Sequence, residues 1–225
     1  MSTFTIAIPS KGVCDTAFAV QLRLLETAGI DKLQTIYVPG ADIACARNAL
    51  VEGAIGDYIL FLDDDTIPPI NVITKLLSHK KDIVSALYFA KQEPHFPQIF
   101  LENKEHKGRF DSIGEYAKDK LIEVDACGAG CLLIKREVFK KLKKPYFQFT
   151  PRGEDTPRIG EDFYFCKKAK EVGYKIYCDT SIICGHLGTK IITSDHWDMS
   201  LSMLKELKET MGEDKFNEWK KRFYE

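Results

Sequence analysis

Short apolar runs alternate with stretches of helical period through the first half of the chain. Residues 4–8 (FTIAI) form an apolar run stopped by Pro9, which predicts a buried strand. In residues 17–28, Phe18, Leu22 and Leu25 recur at helical spacing, and Gly29 follows as a C-cap. A second strand over 33–38 closes at Pro39-Gly40, and a second helix over 43–55 stops at Gly56. The run 58–62 (YILFL) is the clearest strand, held between Gly56-Asp57 and Asp63-Asp64-Asp65. Pro68 and Pro69 suit the first turn of a helix reaching residue 77, and 83–89 reads as the next strand. Such alternation with short connections predicts a mostly parallel central sheet covered by helices on both faces.

The second half is less regular. Residues 95–101 and 121–124 read as strands added antiparallel. Cys127-Gly128-Ala129-Gly130-Cys131 leads into the apolar run 132–134 and a short helix over 136–142. Residues 145–159 carry three prolines and a glycine and read as a loop, expected to close over a site when ligand binds. A helix is expected over 161–172, a strand over 174–178, and helix over 193–225 broken at Gly212. Trp197, Leu201, Leu204 and Met211 form a stripe at helical spacing, continued by Phe216, Trp219 and Phe223. Packing onto the rest of the chain explains that stripe; a homodimer contact or a membrane surface is the alternative, with Lys205, Lys208, Lys220, Lys221 and Arg222 nearby.

Composition narrows the classes. At 225 residues the chain can bury a full core without staples, and 44% hydrophobic with 29% charged residues excludes wholesale disorder. The 32 basic and 33 acidic side chains nearly cancel, so there is no global attraction to nucleic acid. A local patch remains: Lys135, Arg136, Lys140, Lys141, Lys143 and Lys144 stand against Glu137 alone, which reads as a solvated face or as a seat for an anionic acceptor such as nucleic acid or a phosphorylated glycan. The seven cysteines contain no Cys-x-x-Cys pair and match no common zinc module. Reduced thiols, no leader-like N-terminus and no membrane-spanning run together suggest a cytoplasmic setting.

Three clusters could carry chemistry. Asp63-Asp64-Asp65 places three carboxylates at a strand end, where a divalent cation would relieve their repulsion and an acidic helix cap is the plainer reading. Glu161 and Asp162 open a helix after Gly160; either could serve as a general base or favour the positive end of the helix. His186, between Gly185 and Gly188, could ligate Mn²⁺ or form an ordinary hydrogen bond.

The ordered series Ile6-Ala7-Ile8-Pro9-Ser10, Ala46-Arg47-Asn48, Phe61-Leu62-Asp63-Asp64-Asp65, Gly128-Ala129-Gly130, Gly160-Glu161-Asp162 and Gly185-His186 resembles the nucleotide-sugar glycosyltransferases of the GT-A fold, close to family 2. The resemblance covers residues 3–190 and implies a Rossmann-like α/β fold. It implies a catalytic domain over 1–192 and a helical appendage over 193–225. It also implies transfer of a sugar from a nucleoside-diphosphate donor, UDP by base rate, to an acceptor hydroxyl. Pro9 and Ser10 would line the nucleobase pocket, with Arg47 and Asn48 along the donor. Asp63 and Asp64 would contact the donor, Asp63 also through the water shell of the metal. Asp65 and His186 would ligate Mn²⁺ or Mg²⁺. Asp162 would deprotonate the acceptor with inversion, with Glu161 as its understudy, and Gly128, Ala129 and Gly130 would leave room for the acceptor sugar. Asp64 departs from the Asn, Ser or Gly common at that position. Two rival readings are a sugar-nucleotide nucleotidyltransferase, for which Ser10-Lys11-Gly12 is only a faint phosphate loop, and a silent glycan-binding protein of the same fold.

Overall fold

The computed structural model describes residues 3–106, 108–151, 158–188 and 191–224. In chain order the elements are β1 (Thr3–Ser10), α1 (Thr16–Leu24), β2 (Lys32–Pro39), α2 (Ile43–Gly53), β3 (Tyr58–Leu62), β4 (Thr66–Ile67), α3 (Val72–Ser78) and β5 (Ile83–Leu87). There follow β6 (Ile99–Glu102), β7 (Phe110–Ser112), β8 (Leu121–Val124), β9 (Ala126–Cys127), β10 (Cys131–Lys135) and α4 (Arg136–Lys141). The last are α5 (Glu161–Glu171), β11 (Ile176–Ile183), β12 (Gly185–Leu187), β13 (Ile191–Ile192), α6 (Ser194–Met211) and α7 (Glu213–Tyr224).

The main sheet has seven strands in the order β2-β1-β3-β10-β5-β11-β8. β2, β1, β3, β5 and β11 run the same way; β10 and β8 run against them. Strand runs without polar alternation are explained by burial on both faces. Ile59 and Phe61 of β3 pack into one core with Leu50 and Val51 of α2, Val138 and Phe139 of α4, and Phe165 of α5. Leu60 and Leu62 pack into the other with Phe18 of α1 and Val72, Ile73 and Leu76 of α3.

Several expected boundaries move for local reasons. Pro68 and Pro69 lie before α3, not inside its first turn: Thr66 and Ile67 first pair with β12, and Val72 N–H donates to Pro69 O. The strand expected over 95–101 begins only at Ile99. Pro94 and Pro97 cannot donate to a ladder, and His95 takes a left-handed φ of 57°. β11 continues beyond 178 to Ile183 through Asp179-Thr180-Ser181, with an irregular register against β5 between Asp179 and Ile183. The apolar run 132–134 lies at the centre of the main sheet, between β3 and β5. Of the two expected antiparallel additions, residues 121–124 are β8 at one edge, and β6 belongs to a separate sheet with β7 and β9. The helical C-terminal stretch divides at Gly212, whose φ is 80°, and Trp197 of α6 is buried beside Phe96. Of the loop 145–159, expected to close over a site, residues 152–157 lie outside the described residues.

Topology gathers the chemistry at one sheet edge. β1, β3 and β5 all end there, and antiparallel β10 starts there, with Cys131 opposite Leu62. β12 follows β11 to the same edge and pairs His186 with Thr66 of β4.

Candidate active site

The carboxylates after β3 have three different partners. Asp63 N–H donates to Gly130 O, and both Asp63 oxygens accept from Arg47 Nη2 at 2.9 and 3.1 Å. Burial outweighs that guanidinium and lifts the Asp63 carboxyl to about 6. Asp64 Oδ2 accepts the Lys11 N–H at 3.2 Å, tying the end of β1 to the end of β3. Asp65 Oδ2 lies 2.5 Å from Lys91 Nζ, and its Oδ1 lies 3.5 Å from His186 Nε2. Burial opposes charge on Asp65, but the His186 and Lys91 contacts prevail and hold its carboxyl down at about 2.

Arg47 is 2% exposed, in the middle of α2. Asp42 caps that helix through Ala44 N and Cys45 N. Ala44, Leu50 and Val51 share its buried side with Arg47, so helical spacing carries the guanidinium inward. It reaches Ala129 O at 3.0 Å, Asp63, and Glu161 Oε1 at 3.3 Å, between the rings of Phe61 and Phe147. Asn48 spends its amide on Ala44 O, Phe147 O, Tyr146 N and Phe147 N. Arg47 and Asn48, expected along a donor, are thus engaged by the protein itself. Pro9 is buried; Ser10 is half-buried, with Oγ accepting from Gly12 N.

Gly128, Ala129 and Gly130 are buried, and the room expected there for an acceptor sugar is filled. A Cβ on Gly128 would meet Tyr88 Oη at 2.0 Å, and one on Gly130 would meet Tyr88 Cζ at 2.9 Å. Gly130 N–H donates to Tyr88 Oη at 3.2 Å. Burial, with Asp63 and Asp162 nearby, pushes the Tyr88 phenol well above its usual range. These glycines admit a protein ring. Tyr88 and Lys91 are the site groups that sequence reasoning missed.

Glu161 and Asp162 form the first turn of α5, where backbone N–H groups favour negative charge. Glu161 pairs with Arg47. Asp162 Oδ1 accepts from Phe163 N at 2.9 Å. Burial and the adjacent Glu161 lift the Asp162 carboxyl to about 7, against the pull of Arg47. A carboxylate with that value can accept a proton near neutral pH.

His186 Nδ1 donates to Phe89 O at 2.7 Å, and the His186 ring stands edge-on to Tyr88. That bond leaves Nε2 facing Asp65 Oδ1, where it donates to the carboxylate or, once a cation displaces that proton, offers a lone pair. An imidazole nitrogen and a carboxylate oxygen 3.5 Å apart suit Mn²⁺ or a similar divalent ion that displaces the Nε2 proton. Among the described residues no group of three or more His, Cys, Asp or Glu could hold an ion alone, so this pair would need ligand oxygens to complete a shell.

The model of glycosyl transferase family 2 matches residues 30–143, just over half of the chain. The chain belongs to family 2. That matched stretch spans Arg47, the Asp63–Asp65 run and Gly128–Gly130. Among solved structures, A197 from STIV superposes with a TM-score of 0.60 at 22% identity, covering 87% of this family 2 chain and 92% of A197. GalNAc-T7, crystallised with UDP, GalNAc and Mn²⁺, gives 0.51 at 12% identity, over 84% of this chain and 44% of its own. The family 2 chain therefore has the GT-A fold. No curated protein matches the sequence. Among the described residues no helix is long and apolar enough to cross a membrane.

Proposed function

We propose that this chain moves a sugar from a nucleoside-diphosphate donor, UDP-linked, to an acceptor hydroxyl with inversion, using Mn²⁺ or Mg²⁺ at Asp65 and His186. The observation that carries the reading is the facing pair Asp65 Oδ1 and His186 Nε2, with His186 oriented by Phe89 O. GalNAc-T7, which shares the fold and was crystallised with UDP and Mn²⁺, supports the choice of donor and ion. A bound divalent cation supplies positive charge for a departing diphosphate. Asp162 takes the acceptor proton; its lifted value suits that task, while Glu161 is committed to Arg47 as a counter-ion. Arg47 holds Asp63, Glu161 and the Ala129 carbonyl in one cluster and so fixes the spacing between donor and acceptor sides.

We read residues 1–192 as the catalytic domain and 193–225 as an appendage, and unbridged cysteines as fitting a cytoplasmic setting. The test is UDP-sugar hydrolysis and UDP calorimetry with Mn²⁺ and with EDTA. Binding and turnover that require the ion are expected. UDP binding unaffected by EDTA, or no UDP binding at all, would sink the reading.

A further inference from the structure

We propose that Lys91 is an exchangeable cation of the donor site: its ammonium holds Asp65 in the ligand-free protein, yields that carboxylate to the incoming divalent ion, and then contacts a phosphate oxygen of the donor diphosphate. The inference rests on the functional reading above and adds a residue to it.

Lys91 Nζ sits 2.5 Å from Asp65 Oδ2, on the same carboxylate that His186 faces through Oδ1. A single acidic side chain therefore stands between an ammonium and an imidazole nitrogen. The Lys91 side chain is 35% exposed, and among the described residues its ammonium has no hydrogen-bond or ion-pair partner besides Asp65, so it can leave by rotating about its own stem. A buried pair such as Arg47 with Asp63 has no such freedom.

The backbone around Lys91 is fixed while its head is not. Ala90 N–H donates to Phe96 O, His95 N–H donates to Gln92 O, and His95 Nδ1 bonds Ala90 O. Phe89, two residues earlier, supplies the carbonyl that orients His186. One short segment after β5 thus aims the imidazole and delivers the ammonium to the same carboxylate. A lysine anchored this way beside a divalent-ion site is placed for a diphosphate, whose two negative charges exceed what an ion already bound to the Asp65 carboxylate neutralises.

Two binding measurements decide the matter, on the full chain and its Lys91→Met and Lys91→Arg variants. Mn²⁺ alone, followed by the electron spin resonance of the free ion, should bind Lys91→Met several-fold more tightly than the unaltered chain, because nothing competes for Asp65. UDP and inorganic pyrophosphate, titrated calorimetrically with Mn²⁺ present, should each bind Lys91→Met about tenfold more weakly, and Lys91→Arg should recover most of that loss. Weaker Mn²⁺ binding by Lys91→Met would make the lysine a support for the ion site and overturn the exchange. Unchanged pyrophosphate affinity would overturn the diphosphate contact. If the unaltered chain binds no UDP with Mn²⁺, the functional reading fails, and the Mn²⁺ and pyrophosphate arms still decide the role of Lys91.

Discussion

Arg47 Nη2 holds both carboxylate oxygens of Asp63, at 2.9 and 3.1 Å, while the same guanidinium reaches Glu161 from its Nε. Both carboxylates depend on one buried cation. We predict that Arg47→Met costs about 3–5 kcal/mol, the usual penalty for stranding a buried charge. Arg47→Lys should recover only part of it, since a single ammonium cannot serve Asp63, Glu161 and the Ala129 carbonyl together. Urea unfolding at pH 7 measures both; a loss below about 1 kcal/mol for Arg47→Met would show the cluster to be energetically idle.

Asp65→Ala and His186→Ala should each weaken Mn²⁺-dependent UDP binding by about tenfold or more and leave the fold intact. The strand pairing there runs through backbone: Leu187 N–H donates to Asp65 O, and Gly185 and His186 pair with Ile67 and Thr66. Circular dichroism melting should therefore shift little. UDP affinity equal to that of the unaltered chain would remove either residue from the ion site.

Asp162→Asn should lower transfer by about 10²–10⁴-fold and leave donor affinity within a few-fold. In the unaltered chain, activity should climb with pH through about 7, as the base loses its proton. Stability carries the opposite sign. The folded carboxyl lies above its unfolded value of 3.8, so its contribution is full at low pH and is lost as pH rises through about 7. Asp162→Asn should therefore gain stability relative to the unaltered chain between pH 5 and pH 9. Urea midpoints that differ by the same amount at both pH values would contradict the burial of a titrating group.

Gly128→Ala should destabilise by about 1–3 kcal/mol, because its methyl would overlap the Tyr88 hydroxyl. Tyr88→Phe removes that oxygen, so the double variant should cost less than the sum of the singles. Additive melting shifts would mean that the ring moves aside freely.

The sheet and its acidic edge were legible because β3 is a pure apolar run that ends in three aspartates. A run buried on both faces carries no polar alternation to confuse it. Arg47 was legible in principle: helical spacing from Ala44 to Leu50 and Val51 puts it on the apolar side of α2, where a charge demands partners. Its likeness to a donor-binding motif put it along the donor and named none of those partners. The two-residue strands β4, β9 and β13 leave no period to detect. Tyr88 looked like the tail of an apolar strand, and the meeting of Lys91 with Asp65 depends on a turn after β5 that local pattern does not encode.

β10 lies between β3 and β5, yet it is made after both. On the ribosome, β3 and β5 emerge with their facing edges bare, and the strand that joins them begins only at Cys131. Until Lys135 leaves the exit tunnel, the nascent chain presents two apolar strands with free backbone donors and acceptors, a template for pairing with another copy. Translation pauses before Lys135 has cleared the tunnel would lengthen that exposure, and pauses after it has cleared would not. The yield of soluble protein should thus respond to codon choice in one window of the message and be indifferent to it in the next.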